Sequence, residues 1–447
     1  MTNFSCKNLI EIGSILKKYI NNYQNFSLYL CIFLSSLFGA QRYLLESTYI
    51  YVCIFPLIIS IFYFHKEKSL SLIFLIISLF LSVDNGAGVY DETPSYIRYF
   101  IYFWGLFLML QRASICQIKL FIYLLLMFPP IIMSMINSEP LIFSILARDI
   151  FAFTIIGLAI IQVKNSKNNL LIEWKYLAFF FVSFLFFEVI NCLFFYRNTN
   201  VLFMSHYLSY DSLKAFSAFS LFYYLQKKKY LIATIVCLMT IFVFINYGSR
   251  FPLLILMLIS ILALINLNKD RFGIKFFFSF VFLLLVFYLL FILNKDSKFG
   301  SLFSDLLISD GFIDWVRLVD PIRYYENALF FDRGILSILF GNGFGSSLYD
   351  SNGYLNFVQL NQTAFSSDEL NSGIFYNFHD FWVDFGLRFG LLNCIFLIYL
   401  VTRRYLTGFN NSFVNTSLLI LIFTTFFSSA GILLIAIFLM ISSENAS

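Results

Sequence analysis

Charged side chains are scarce in this sequence: Asp, Glu, Lys and Arg together make up 12% of its 447 residues. Hydrophobic residues account for 60%, and they include 61 phenylalanines and 28 tyrosines. A soluble globular chain of this length has too little interior to bury so much apolar surface. The composition therefore excludes an ordinary soluble protein and predicts a chain that uses lipid as its solvent.

Several sequence signals are also missing. None of the seven cysteines lies between residues 294 and 378, the longest polar stretch, so no disulfide framework or cysteine metal site is predicted there. There is no Walker motif, no dinucleotide fingerprint and no internal repeat, and we predict no cofactor. The basic residues form small clusters rather than a stripe, which argues against nucleic-acid binding despite the net charge of +5.

Apolar runs long enough to cross a bilayer recur along the chain. In hydrocarbon every backbone N–H and C=O must be satisfied within its own segment, so runs of roughly 20 apolar residues predict transmembrane helices. The runs lie near Phe26–Ala40, Thr48–Phe64, Leu70–Val83, Ile97–Leu110, Leu120–Ile136, Phe143–Val163, Trp174–Phe195, Ser212–Leu225, Tyr230–Ile245, Pro252–Leu267, Lys275–Leu293, His379–Val401 and Phe413–Ile441. Ser428-Ser429-Ala430-Gly431 predicts a turn inside the last run. The predicted fold class is an all-α polytopic integral membrane protein with about 12 to 14 transmembrane helices.

The distribution of Lys and Arg predicts the orientation, because basic residues resist translocation. Of the 30 Lys and Arg residues, 18 fall in the N-terminal segment and in alternate connections, which we therefore place in the cytoplasm. The first run follows Lys7, Lys17 and Lys18 without a small-residue cleavage site, and we interpret it as a retained signal anchor with a cytoplasmic N-terminus. Residues 294–378 are then external.

The chain accordingly divides into three predicted parts. Residues 1–293 form an N-terminal bundle of about 11 spans, residues 294–378 one large periplasmic loop, and residues 379–447 the C-terminal transmembrane helices. The loop has mixed charge and amphipathic stretches such as Asp320–Gly334, which predict helices near the membrane surface. Loops of this length usually carry function.

Charges at the membrane edge are costly and are the first candidates for function. Arg250 precedes Phe251-Pro252, where one predicted span ends and the next begins, so its guanidinium could bind phosphate or reach lipid headgroups. His379, beside Asp380, opens a later span and is either a general base or structural. Asp384 and Arg388 follow on the same helix face and would pair with each other.

Within the loop, Arg323 and Glu326 share the stretch Pro321 to Leu329. The glycine segment Gly341-Asn342-Gly343-Phe344-Gly345 starts eighteen residues after Arg323, and it allows either a close approach to a ligand or only a turn. The loop holds ten acidic residues against five basic ones, which is poor for general anion attraction. Individual arginines must therefore bind any anion locally, while Glu326 could accept hydrogen bonds from sugar hydroxyls.

The arrangement as a whole resembles the bacterial O-antigen polymerases (the Wzy family) and the related O-antigen ligases. The resemblance rests on the many-span, Phe-rich chain, the long external loop, Ser249-Arg250 opening a late span, Arg323 ahead of the glycine segment, and His379 leading into a helix with Gly386 and Gly390. Phe251 and Asp380 stand where the family usually has Gly and Asn.

The resemblance implies a GT-C-like glycosyltransferase of the bacterial inner membrane with a periplasmic active site. Carried over from the family, Arg250 and Arg323 bind the pyrophosphate of an undecaprenyl-linked donor glycan. His379 then takes the proton of the acceptor hydroxyl as it attacks the anomeric carbon with inversion. We add Glu326, Asp380 and Arg388 as substrate-binding residues, and predict no metal. The expected partners are undecaprenyl-pyrophosphate-linked oligosaccharide, membrane lipids and a polysaccharide chain-length regulator.

Two alternatives stay open at this point. A ligase that transfers finished glycan to lipid A core shares the same order of motifs. A flippase or other secondary transporter for lipid-linked oligosaccharide belongs to a different class and would need polar residues along a central path. Glu188, Asn191 and Arg148 keep that second possibility open.

Overall fold

The computed structural model describes residues 25–41, 45–82, 93–111, 116–136, 143–161, 173–194, 208–246, 310–360, 365–378, 381–407, 412–424 and 428–444. Over these ranges the chain is mostly helical, as the sequence predicts. Two predicted apolar runs, Pro252–Leu267 and Lys275–Leu293, lie outside the described residues. Arg250, His379 and Asp380 lie outside them as well.

The described residues form seventeen α-helices. The helices are α1 (Asn25–Ala40), α2 (Ile54–Tyr63), α3 (Lys68–Leu81), α4 (Ser95–Leu110), α5 (Gln117–Ile136), α6 (Phe143–Ile161), α7 (Trp174–Phe194), α8 (Leu208–Gln226), α9 (Tyr230–Asn246), α10 (Phe312–Val319), α11 (Pro321–Phe331), α12 (Ile335–Phe340), α13 (Ser367–Ser372), α14 (Phe381–Phe389), α15 (Leu391–Thr407), α16 (Ser412–Thr424) and α17 (Ser429–Glu444). Short 3-10 helices cover Glu46–Tyr51 and Asn356–Leu360, and the strands β1 (Leu348–Tyr349) and β2 (Ile374–Phe375) pair in antiparallel fashion.

The predicted apolar runs and the observed helices agree closely in the N-terminal half, where α1 to α9 each coincide with one run. The last predicted run, Phe413–Ile441, is divided as predicted into two helices, α16 and α17, but three of the four residues predicted as the turn, Ser429 to Gly431, belong to the start of α17. The single helix predicted over His379–Val401 is wrong. Gly390 adopts a φ of +85° and separates α14 from α15, and a Cβ at this position would lie 2.3 Å from the carbonyl oxygen of Leu339.

Helices α3 and α17 form the centre of the main bundle. Both are apolar on all sides and are buried along nearly their whole described length, which is the pattern of a helix enclosed by other helices. They contact each other, and α17 also packs against α4, α6, α8, α15 and α16. The surrounding core is rich in aromatic contacts, such as the stacked rings of Phe181 and Phe216 with centroids 3.9 Å apart.

Two described helices, α5 and α7, are long and apolar enough to cross a membrane, judged by length and composition. Helix α5 contains Pro129 and Pro130, and a proline nitrogen cannot donate to the carbonyl four residues earlier. The carbonyl of Leu126, four residues before Pro130, instead accepts a hydrogen bond of 3.0 Å from the side-chain amide of Asn393 on α15. A neighbouring helix thus supplies the donor that the proline removes.

Residues 310–378, hereafter the loop segment, form a second small hydrophobic cluster. Leu329 and Phe330 of α11 pack there with Phe375 and Phe378, and the cluster continues into α14. Phe330 lies 5.5 Å from the ring of Trp382 and would be 3.0 Å from a Cβ added to Gly386. The core of the loop segment therefore extends past residue 378, the predicted end of the loop.

Candidate functional site

Arg323 lies in the first turn of α11, which begins with two favourable start signals. Asp320 is the N-cap, its side chain accepts the backbone N–H of Arg323 at 3.3 Å, and Pro321 occupies the first helical turn. The guanidinium Nη1 of Arg323 also pairs with the Asp320 carboxylate at 2.6 Å. The two side chains are 19% and 22% exposed, so part of the pair is accessible to a ligand.

Glu326 lies one turn further along α11 and is fully buried. It shares the inner face of the helix with Leu329 and Phe330, which pack against α14. The helix that carries Arg323 is thus fixed on the helix that starts two residues after His379 in the sequence. The predicted contact of Glu326 with sugar hydroxyls stays a prediction, and its carboxylate has no exposed surface in this arrangement.

The glycine segment packs against protein backbone. Gly343 has a φ of +94°, and a Cβ there would lie 2.3 Å from the backbone nitrogen of Ser134 on α5. The N–H groups of Asn342 and Gly343 donate to the carbonyl oxygens of Leu387 and Arg388 at the end of α14. The close approach that glycine permits is therefore used to join the loop segment to α5 and α14.

A buried ion cluster lies where the loop segment meets α6 and α14. Arg388 is fully buried, its Nε lies 2.9 Å from a carboxylate oxygen of Asp149, and its Nη1 pairs with Asp384 one turn earlier. Its Nη2 donates to the carbonyl oxygen of Tyr376 at 2.7 Å. Asp149 is also fully buried, and it accepts the backbone N–H of Gly345 at 2.7 Å. Burial makes each of these contacts stronger than it would be in water.

Arg148 completes the cluster as its outermost member. Its Nη1 donates to the side-chain oxygen of Asn377 at 2.9 Å. The charge contacts are longer, at 3.6 Å to Asp149 and 3.7 Å to Asp384, and the side chain keeps 11% of its surface exposed. Two arginines and two aspartates balance in charge, so the cluster as a whole is neutral.

Glu369 fixes the chain that leads into this cluster. It forms a capping box with Ser366 at the start of α13, and its other carboxylate oxygen accepts the N–H groups of Tyr376 and Asn377 at 2.9 and 3.0 Å. Burial raises the pKa of this carboxyl above its ordinary value, while the hydrogen bonds from Tyr376 and Ser366 act in the opposite direction. The backbone at 376–377 is thus held by Glu369 and by both arginines.

The structure brings some of the predicted site residues together and leaves others undescribed. Arg323 and Glu326 share α11, and Arg388 lies on the helix against which α11 packs. The predicted pairing of Arg388 with Asp384 is confirmed. The predicted contact of Arg388 with substrate stays a prediction. Its guanidinium is enclosed by protein groups, which favours a role in fixing the packing of α14 and its neighbours. Arg250, His379 and Asp380 lie outside the described ranges.

Asp149 and Glu369 were not among the predicted site residues. Asp149 is separated from Arg388 by 239 positions. Its place inside an apolar run indicates that the charge needs a partner, but the neighbouring sequence does not show which residue that partner is. Glu369 had a local signal, since Ser366-x-x-Glu369 is the pattern of a capping box. Among the described residues, no group of three His, Cys, Asp or Glu side chains is placed to hold a metal ion.

No protein-family model, curated protein or solved structure matches the chain.

Proposed function

We propose that the chain is a polytopic inner-membrane glycosyltransferase that polymerises undecaprenyl-pyrophosphate-linked oligosaccharide repeat units on the periplasmic side. In this proposal Arg250 and Arg323 bind the donor pyrophosphate. The acceptor hydroxyl oxygen forms a bond to the anomeric carbon, the bond from that carbon to the pyrophosphate breaks, and His379 takes the hydroxyl proton. Undecaprenyl pyrophosphate leaves with the electron pair, and the anomeric configuration inverts.

The packing of α11 on α14 carries the proposal. It joins the helix of Arg323 to the helix that follows His379, through the contact of Phe330 with Trp382 and Gly386. Arg323 sits at the start of α11 with a partly exposed guanidinium. A planar guanidinium can hold two phosphate oxygens at once and stabilise the charge of a departing pyrophosphate, which gives the reaction fixed positive charge without a metal.

The membrane part of the proposal is supported by where the apolar side chains lie. Helix α5 keeps Phe121, Leu125 and Phe128 more than three-fifths exposed along a length sufficient to cross a bilayer. Helix α7 is of the same length class but lies mostly inside the bundle. Large exposed apolar faces on a protein of this composition are explained by contact with lipid.

The test is a reaction with purified protein in lipid nanodiscs and lipid-linked repeat units extracted from the source organism. A ladder of products that each grow by one repeat unit supports polymerisation. Transfer only to added lipid A core identifies a ligase instead, and movement of intact lipid-linked oligosaccharide across the bilayer without new glycosidic bonds identifies a transporter. His379→Ala serves as the inactive reference and Lys175→Gln, at the exposed start of α7, as the matched control with a charge removed elsewhere.

A further inference from the structure

The carboxylate of Asp149 connects three parts of the chain that are far apart in sequence. Asp149 lies on α6, accepts the N–H of Gly345 from the loop segment, and pairs with Arg388 on α14. Arg388 in turn donates a hydrogen bond to the carbonyl oxygen of Tyr376. Tyr376 precedes His379 by three residues, so one buried carboxylate on the bundle is linked to the backbone just before the proposed base.

The burial of this cluster favours a role in fixing geometry. Asp149 and Arg388 are both fully buried, and a buried ion pair adds little net stability compared with apolar side chains of the same size. What such a pair does impose is a particular arrangement, because removing either partner leaves a buried charge with one pairing fewer. Here the arrangement fixed is that of the glycine segment and the 374–378 segment against α6.

We propose that Asp149 is a positioning residue that holds the 374–378 segment, which leads directly to His379 in the sequence, against the helix bundle. The inference rests on the proposed function, in which His379 accepts the proton. Arg323 is held by Asp320 and by the packing of α11. Loss of Asp149 should therefore displace the base while leaving pyrophosphate binding almost intact.

The experiment compares four purified proteins in nanodiscs. Asp149→Asn removes the charge, and Asp149→Glu keeps it on a longer side chain. Asp149→Asn combined with Arg388→Met removes one charge of each sign from the cluster, so that a fold weakened only by surplus positive charge is recovered. Asp368→Asn, an exposed carboxylate in the same loop segment, is the matched control. Each protein is measured for kcat and KM with extracted lipid-linked repeat units, and for hydrogen exchange in peptides covering residues 341–346 and 374–378.

We expect Asp149→Asn and the double variant to exchange faster in both peptides and to lose about 100-fold in kcat, the loss typical of a displacement of about 1 Å, with KM changed less than about threefold. Asp149→Glu should recover part of kcat, and Asp368→Asn should match the unmodified protein. Unchanged kcat with faster exchange would overturn the positioning role. Unchanged exchange with lost kcat would show that Asp149 does not act through these segments. If the unmodified protein makes no polymer, the proposed function fails, and the exchange data alone then decide whether Asp149 holds the segments.

Discussion

Asp320 competes with the proposed substrate for Arg323, and this competition gives a prediction with an unusual sign. Asp320→Asn removes the carboxylate charge 2.6 Å from the guanidinium but keeps an oxygen for the N-cap bond to the Arg323 backbone. The pyrophosphate of the substrate then no longer has to displace a carboxylate. We therefore expect tighter binding of the lipid-linked donor rather than a loss.

The size of the effect follows from the exposure of the pair. Two unit charges about 4 Å apart attract each other by about 4 kcal/mol near a protein surface and by about 1 kcal/mol in water. Both side chains are about one-fifth exposed, so solvent screens the pair and its net attraction lies near the lower of these two energies. About 1 kcal/mol corresponds to a KM lowered roughly fivefold, with kcat unchanged.

The assay is the nanodisc polymerisation reaction, measured over a range of donor concentrations. Arg323→Ala is the opposite control, and loss of one charge-stabilising group should lower kcat by about 100- to 1000-fold. Arg323→Lys should fall between the two because it keeps the charge without the planar fork. A raised KM in Asp320→Asn, or normal kinetics in Arg323→Ala, would refute the assignment of Arg323 to the pyrophosphate.

Three further predictions concern the structure around the site. Gly343→Ala should lower the unfolding free energy by at least about 2 kcal/mol, because it combines a left-handed backbone with a clash against Ser134; thermal melting in detergent measures this, and an unchanged melting temperature would contradict the contact. Asn393→Leu should cost about 1 to 3 kcal/mol by leaving the Leu126 carbonyl without its donor, and adding Pro130→Ala should restore part of the loss; an additive double variant would argue against the link. Since the pKa of Glu369 is raised in the folded protein, its contribution to stability is full below pH 4.5 and is lost as pH rises through the folded pKa. Glu369→Gln should therefore remove this pH dependence of the opening free energy that hydrogen exchange measures at residues 376–377. An identical pH dependence in the variant would exclude Glu369 as its source.

Much of the helical layout could be predicted because it is encoded locally. An apolar run bounded by polar residues identifies a helix, and α7 ends within one residue of its predicted limit. The break at Gly390 was missed although the glycine was noticed, because a glycine inside an apolar run is equally compatible with a continuous helix. What settles the break is a close contact with Leu339, which no local pattern contains.

The candidate site divides in the same way. The pairing of Asp384 with Arg388 could be predicted, since residues four apart share a helix face. The pairing of Arg388 with Asp149 depends on how α6, α14 and the loop segment pack, and a charge inside an apolar run indicates only that some partner exists. The sequence did not distinguish whether the glycine segment contacts a ligand or only forms a turn. The structure places it against α5 and α14.

The account depends on two arginines and a histidine meeting at one pocket on the external face. A cryo-electron microscopy structure of the protein with a bound undecaprenyl-pyrophosphate-linked repeat unit tests this. We predict pyrophosphate oxygens within hydrogen-bonding distance of both Arg250 and Arg323, and the imidazole of His379 beside the anomeric carbon. Pyrophosphate bound away from Arg323, or Arg250 and His379 on opposite sides of the bilayer, would contradict the proposed glycosyltransferase.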